Sequence, residues 1–513
     1  MRLTTPYKEV SRMPRTARPP EATPDRTPTA PPTGTTAHGA AMPSEPVGMT
    51  TGEHGPVPQP PPADAPTADA PAPARRRLRT VATVTGGSLL AAVALMAAAT
   101  LLPGSTDPAP PLAYSPARGT ISYGTASGIG SYGAAPDVSA SIAGLQKRLH
   151  RLPKDYLAWA ELGSAYVQRS RQTADPSYYV RAEQATARSL QLSPGNFAGL
   201  TAEAALAAGR HDFARAVRLS RDAIAANPYG PIAYGVAADA YTQLGQYGLA
   251  SKAVGKMMDL APGVSSFTRA SYDAELRGDQ AAARRLLDYA LRDAFTPADI
   301  AYCRYYLGEL ALHAGDGKRA ASMYAAALKA DPSFVPALAG QARAAALDGR
   351  LREAATGYEA VVGRLPLSQY LVEYGEVLQR MGRNPSAQWK VLAAQRDLMR
   401  ANGVRDDLTW AEFEADHGSP ARAVQLATAE YARNPNVVAA DALAWALYRD
   451  GKPRQALPYA RKATATGWRN ALLSHHLAEI ERALGVDASE SSALVRTYNP
   501  RFEPRLPALQ RFS

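Results

Sequence analysis

The chain has 513 residues, 46% of them hydrophobic, and a formal net charge of +11 at pH 7. Alanine carries much of the hydrophobic content beside only 8 Phe and 5 Trp, which favours close-packed helices over a sandwich of large side chains. The one cysteine, Cys303, excludes an internal disulfide and a multi-cysteine metal site, and we expect it to be a small buried side chain. The 57 basic residues are spread along the chain without interleaved aromatic residues, so they predict a solvated exterior and no nucleic-acid surface.

Residues 1–79 are rich in Pro, Ala and Thr and end in a basic cluster that contains Arg75, Arg76, Arg77 and Arg79. A segment with so few large apolar side chains cannot offset the entropy that it would lose on ordering. We therefore predict a disordered tail with stretches of polyproline II.

Residues 80–102 contain no charged side chain. A helix of that length reaches about 34 Å at about 1.5 Å per residue, which is enough to cross a hydrocarbon core of about 30 Å. We predict one transmembrane helix here. The arginine cluster precedes it and the next basic residue is Arg118, so the positive-inside rule predicts a cytoplasmic N-terminus and an extracytoplasmic remainder in a single-pass membrane protein. A cleaved signal peptide is the alternative.

The remaining chain divides into three parts. Residues 103–136 are rich in Gly, Ser, Pro and Tyr and predict a flexible linker. Residues 137–500 have a helical pattern, and residues 501–513 form a C-terminal tail.

The helical part contains an internal repeat. A glycine followed five residues later by alanine recurs eight times, and successive glycines are 33 to 37 residues apart. The glycine permits a tight turn after a first helix, and the small alanine permits a second helix to approach closely. The pairs are Gly209/Ala214, Gly245/Ala250, Gly278/Ala283, Gly315/Ala320, Gly349/Ala354, Gly382/Ala387, Gly418/Ala423 and Gly451/Ala456.

The first unit carries Trp159, Leu162, Gly163 and Tyr166 at W-x2-L-G-x2-Y spacing. With this motif the chain resembles the tetratricopeptide repeat family over residues 150–500, in nine or ten units. The resemblance implies an all-α, right-handed superhelical solenoid of helix-turn-helix repeats, whose first helices line a concave face. Stacking then buries the apolar stripe of each hairpin between its neighbours.

In that family the residue six before each turn glycine faces inward. Five of the eight residues in this slot are carboxylates, whereas the Asn and Lys that grip a C-terminal carboxylate in some members are absent. We predict a groove for an extended or helical segment of another protein that carries Lys or Arg. The alternative is that the acidic residues only solvate this face. The candidate groove residues are Glu203, Asp239, Tyr272, Tyr305, Glu309, Arg343, Glu376, Glu412, Trp445 and Arg449.

No catalytic pattern is present. The sequence lacks G-x-S-x-G, H-E-x-x-H and a Walker loop, and the adjacent His475 and His476 point about 100° apart on a helix. We predict a non-catalytic protein without cofactor or metal, acting as a membrane-tethered scaffold for a protein or peptide partner. An accessory or sensor subunit of an envelope complex or enzyme is one alternative. A secreted soluble binding protein, if the hydrophobic segment is cleaved, is another.

Overall fold

The computed structural model describes residues 138–511, and all regular structure in that range is helical. The predicted tail, membrane span and linker, residues 1–136, lie outside it. Between residues 138 and 511, no helix combines the length and apolar character that crossing a bilayer requires. The predicted all-helical architecture is confirmed for the described part of the chain.

Helix α1 spans Val138–Arg151 and is followed by ten antiparallel pairs, which we number as repeats 1 to 10. The first helix of a pair is helix A and the second is helix B. The pairs are α2 Tyr156–Thr173 and α3 Ser177–Leu192, α4 Phe197–Gly209 and α5 Phe213–Ala226, α6 Pro231–Gln243 and α7 Tyr247–Leu260, α8 Val264–Leu276 and α9 Gln280–Arg292, α10 Pro297–His313 and α11 Gly317–Ala330, α12 Val335–Leu347 and α13 Leu351–Arg364, α14 Ser368–Arg380 and α15 Ser386–Ala401, α16 Asp407–His417 and α17 Pro420–Arg433, α18 Val437–Arg449 and α19 Pro453–Thr464, and α20 Ala471–Ala483 and α21 Ser489–Tyr498. A 3₁₀ helix, Pro507–Gln510, follows.

Most of the predicted turn glycines do allow the turn between helices A and B. Six of the eight have φ between 68° and 80°, a region that side chains disfavour: Gly245, Gly278, Gly315, Gly349, Gly382 and Gly451. In five of those six repeats the alanine five residues later is buried, whereas Ala387 in repeat 7 is exposed.

The expectation for repeat 2 is wrong by two residues. Gly209 is the last residue of α4, and the left-handed turn position is His211, with φ 62°. The carboxylate of Asp212 caps the following helix, so the buried alanine is Ala216. In repeat 8, Gly418 lies at the turn with a negative φ of −130°.

The array coils back on itself, so that repeats distant in sequence touch. Asn436 donates its side-chain amide to the Gln243 carbonyl oxygen (2.8 Å), and the Tyr247 hydroxyl accepts a hydrogen bond from the Val437 amide (2.9 Å). Gln243 and Tyr247 flank the turn of repeat 3, and Asn436 and Val437 lie where the connector after repeat 8 meets α18. The turn of repeat 3 therefore contacts the connector after repeat 8, five repeats further along the chain.

The same register recurs along the array. The turn of repeat 2 meets the connector after repeat 7, where the Arg405 amide donates to the Arg210 carbonyl (3.4 Å). In repeat 4, Gly278 lies against the carbonyl of Gly467. In repeat 5, Gly315 lies against Asn499, directly after repeat 10. We call this set of contacts the inter-turn seam.

Candidate functional site on the inner face

Charged side chains join successive helices A along the inner face. Arg269 of α8 forms two parallel hydrogen bonds with Asp239 of α6, both 2.9 Å long. The Arg343 guanidinium of α12 lies between two carboxylates, 2.7 Å from Glu309 Oε2 on α10 and 2.8 Å from Glu373 Oε1 on α14. Arg343 thus links three consecutive repeats.

Tyrosine hydroxyls from helices B complete this network. Tyr324 donates to Glu309 (2.5 Å), and Tyr358 donates to Glu373 (2.7 Å). Burial raises the pKa of Glu373, and the nearby Arg343 and Tyr358 oppose that effect. The predicted groove residues Asp239, Glu309 and Arg343 are therefore buried and paired within the chain, Asp239 with Arg269 and Glu309 with Arg343, which accounts for their charges without a partner protein.

The C-terminal residues lie on the inner face of repeats 7 and 8. Leu506 and Leu509 are each 1% exposed and share a core cluster with Val372, Val377 and Trp410. The 3₁₀ helix packs against α14 and α20. Residues 503–511, which we call the C-terminal segment, therefore place Leu506, Ala508 and Leu509 in the groove.

Three carboxylates hold this segment. Glu376 accepts a hydrogen bond from the Ala508 amide (2.9 Å) and one from His417 (3.0 Å). The Arg511 guanidinium contacts Asp416 Oδ2 (2.5 Å) and Glu412 Oε2 (3.2 Å). The predicted slot residues Glu376 and Glu412 therefore contact a basic segment, and that segment belongs to the same chain.

The pKa values in this cluster diverge. Burial raises the pKa of Glu412 to about 7, against the attraction of Arg511. Burial also acts to raise the pKa of Asp416, but Arg511 and the Trp445 hydrogen bond outweigh it and lower that pKa. The carboxylates raise the pKa of Arg511 despite its burial, so its charge is retained.

Trp445 and Arg449 extend the inner face into repeat 9. The Trp445 indole donates to Asp416 (2.8 Å) and stacks on His476, with ring centroids 3.9 Å apart. His476 is buried and contacts Asp441 (2.9 Å). Arg449 has a 38% exposed side chain and lies over the Trp445 ring. Arg449 is thus an accessible member of the predicted groove.

The other predicted residues lie elsewhere on the array. Tyr272 packs edge-on against Trp468 at the inter-turn seam, and Tyr305 is buried among Tyr306, Tyr324 and Phe334. Glu203 pairs with Arg215 of its own repeat. The turn of repeat 2 is at His211, so the residue six positions before it is Ala205. Glu203 therefore does not occupy the inward-facing position predicted for it from the sequence.

A cavity of about 320 Å³ lies beside the C-terminal segment. Apolar and aromatic walls come from Tyr272, Leu276, Phe413 and Val437, and Ala508 and Arg511 form part of its boundary. The cavity therefore lies between the segment and the inter-turn seam.

Residues 138–511 hold no group of three or more His, Cys, Asp or Glu side chains placed to bind a metal ion. Cys303 is buried, as expected from the sequence, and burial raises the pKa of its thiol to about 12. His476 is buried and the side chain of His475 is 19% exposed.

Two groups of site residues were missed by sequence reasoning. The first comprises Arg269 and Glu373. Each lies 30 residues after its oppositely charged partner, Asp239 or Arg343, and this repeated spacing is visible in the sequence. The second is the C-terminal segment, whose signal is Leu506 and Leu509, large apolar side chains of the kind that residues 1–79 largely lack. Only the curvature of the array brings that segment onto repeats 7 and 8.

Comparisons with known proteins concern the helical repeats. No family model and no curated protein matches the chain. A thermophilic tetratricopeptide repeat protein of Thermus thermophilus is 21% identical, with TM-score 0.32, over 36% of this chain and 98% of that one. A tetratricopeptide repeat protein of Parabacteroides merdae is 16% identical, with TM-score 0.35, over 52% and 93%. A human IFIT1 dimer with m7Gppp-AAAA is 16% identical, with TM-score 0.41, over 64% and 76%.

Proposed function

We propose that the protein is a non-catalytic, membrane-tethered scaffold that binds a segment of a partner protein on the inner face of repeats 7 to 9. One observation carries the proposal: this face already holds a peptide, the C-terminal segment, through a backbone hydrogen bond, two buried leucines and an arginine. The carboxylates of this face repel a phosphate backbone, so a basic polypeptide suits it better than a nucleic acid.

The tether is supported by sequence alone. Residues 80–102 lack charged side chains and follow four arginines, so we propose a single membrane span with the repeats on the extracytoplasmic side. The test is fractionation of a bacterial host that expresses the full chain, followed by protease treatment of intact spheroplasts. Recovery in membranes with digestion of the repeats is expected, and protection of the repeats would overturn this topology.

Partner binding is tested by photo-crosslinking in cells. A photoreactive amino acid at Arg449 places the label on the inner face, and one at the exposed Arg454 of α19 serves as control in the same repeat. We expect a crosslinked partner only from position 449. Crosslinks of equal yield from both positions, or none from position 449, would contradict the proposal.

A further inference from the structure

We infer that the C-terminal segment is an internal competitor, and that the partner carries a segment of the same chemistry: two apolar residues three positions apart, followed two positions later by arginine. In the chain these are Leu506, Leu509 and Arg511. The inference rests on the proposed function, because it identifies the chemistry of the ligand that the same inner face takes.

The contacts of the C-terminal segment are of the kinds that hold a bound peptide. Its apolar side chains enter a core formed by helices of repeats 6 to 8, its backbone donates a hydrogen bond to Glu376, and its arginine contacts Glu412 and Asp416. These contacts specify side-chain type and spacing at three points. A second polypeptide with the same three features could make all of them.

The connection to repeat 10 permits release. Asn499 is buried directly after α21, whereas Pro504 and Arg505 are exposed, and the Arg505 side chain pairs with its neighbour Glu503. The segment therefore begins at an exposed stretch and can leave the groove while the ten helical pairs keep their mutual contacts.

The internal segment is an imperfect ligand. The side-chain amide nitrogen of Gln510 is buried and has no hydrogen-bond partner among residues 138–511, which costs free energy that an apolar residue at that position would not lose. The adjoining cavity of about 320 Å³ is bounded by Ala508 and Arg511 and is not filled by the segment. A partner segment with a larger apolar side chain here has an advantage over the internal one.

Tethering offsets this advantage. A segment joined by a short linker to its own site has an effective concentration in the millimolar range, so an external peptide must compete against it. Weakening the internal segment should therefore raise the apparent affinity of an added peptide.

The test uses a fluorescent peptide with the sequence of residues 501–513, RFEPRLPALQRFS, and the full chain in detergent micelles. Fluorescence anisotropy gives the Kd for the wild type, for Arg511→Glu and for Arg505→Glu, which makes the same charge change at an exposed position of the same segment. We expect Arg511→Glu to bind at least 10-fold more tightly than the wild type and Arg505→Glu to match the wild type. Adding Glu412→Gln and Asp416→Asn to Arg511→Glu should remove the gain.

Circular dichroism shows whether each variant keeps its helical content. If Arg511→Glu loses helix, Arg511→Gln replaces it, because it removes the ion pairs without adding an opposite charge. Equal peptide affinity for the wild type and the folded Arg511 variant would overturn the inference and make the segment a fixed part of the fold. If the peptide affinities are equal but a partner crosslinks at position 449, the proposed function holds and the partner segment has another chemistry. If the Arg511 variant binds the peptide more tightly but no partner crosslinks at position 449, the proposed function is contradicted.

Discussion

Arg343 is fully buried, and its charge is tolerated because two carboxylates from neighbouring repeats meet it. Arg343→Met should leave Glu309 and Glu373 close together in the interior without a cation. Removing one partner of a buried ion pair costs about 3–5 kcal/mol, so we expect a large drop in the midpoint of urea unfolding.

Arg350 provides the matched control for this measurement. Its side chain is 48% exposed and pairs with the exposed Glu353, and such surface pairs contribute about 0–1 kcal/mol. Arg350→Met should leave the midpoint nearly unchanged. Equal effects of the two substitutions would mean that the Arg343 network contributes no more than a surface pair.

Glu275 of α8 should make stability depend on pH. Burial raises the pKa of Glu275 to about 8, although a hydrogen bond with Trp468 acts to lower it. The folded state therefore keeps a proton that the unfolded state releases near the ordinary glutamate value of 4.5. The stabilisation is present below pH 4.5 and is lost as the pH rises through about 8. The slope for one group is at most about 1.4 kcal/mol per pH unit.

The check is thermal unfolding from pH 5 to pH 9 for the wild type and Glu275→Gln. Glutamine keeps the shape without the titration, so its Tm should fall less steeply over this range than that of the wild type. If Tm falls equally with pH in the two proteins, the pKa of Glu275 is not raised by its burial.

At the scale of the elements, the sequence predicted the turns between helices A and B wherever the local glycine and alanine pattern determines the turn. Glycine with positive φ and a buried alanine five residues later identified the turns of repeats 3 to 6 and repeat 9. The rule failed in repeat 2, because Gly209 fits the end of α4 and the capping carboxylate of Asp212 fixes the turn two residues later. Helix capping there outweighed the preference for glycine.

Two turn glycines offer a comparison between a free turn and one at the inter-turn seam. Gly349 has φ 80° and nothing within 4 Å of an added Cβ, whereas Gly245 has φ 68° and the Pro435 carbonyl oxygen 2.5 Å from that position. Gly349→Ala should cost about 1–2 kcal/mol from backbone conformation alone. Gly245→Ala should cost more, because it also forces the turn of repeat 3 away from the connector after repeat 8.

Urea unfolding gives the two costs, and hydrogen exchange localises them. In Gly245→Ala the amide of Val437, which donates to Tyr247, should exchange faster than in the wild type, while Gly349→Ala should leave it protected. Indistinguishable exchange in the two variants would argue that the turn of repeat 3 is not held against the connector after repeat 8.

The inter-turn seam and the C-terminal segment could not be predicted from the repeat pattern. In a repeat array each unit contacts its neighbours, and the curvature is the sum of small rotations between them. No single residue determines the curvature of the whole array. The sequence therefore predicted an inner face but not that the C-terminal segment covers part of it. The buried connector residues Asn436 and Asn499, which contact the turns of repeats 3 and 5, are the residues whose burial reflects the seam.

At the scale of the whole molecule, the seam register can be tested by crosslinking. Gln243→Cys and Asn436→Cys are 193 residues apart in sequence, yet the native side chains are in contact. A short bismaleimide should join them within one molecule in high yield. Cys303 should stay unmodified, since burial raises its thiol pKa to about 12.

The control variant combines Gln243→Cys with Asp331→Cys. Asp331 lies on the connector after repeat 5, which is not the connector that contacts the turn of repeat 3. Crosslinking there should be rare. The seam pair, once joined, should raise the Tm, because the link restricts the unfolded chain. If both pairs react equally, the turn of repeat 3 is not held against the connector after repeat 8 in solution. If only the seam pair reacts, the coiled array of the structure persists in solution, with the turn of repeat 3 against that connector.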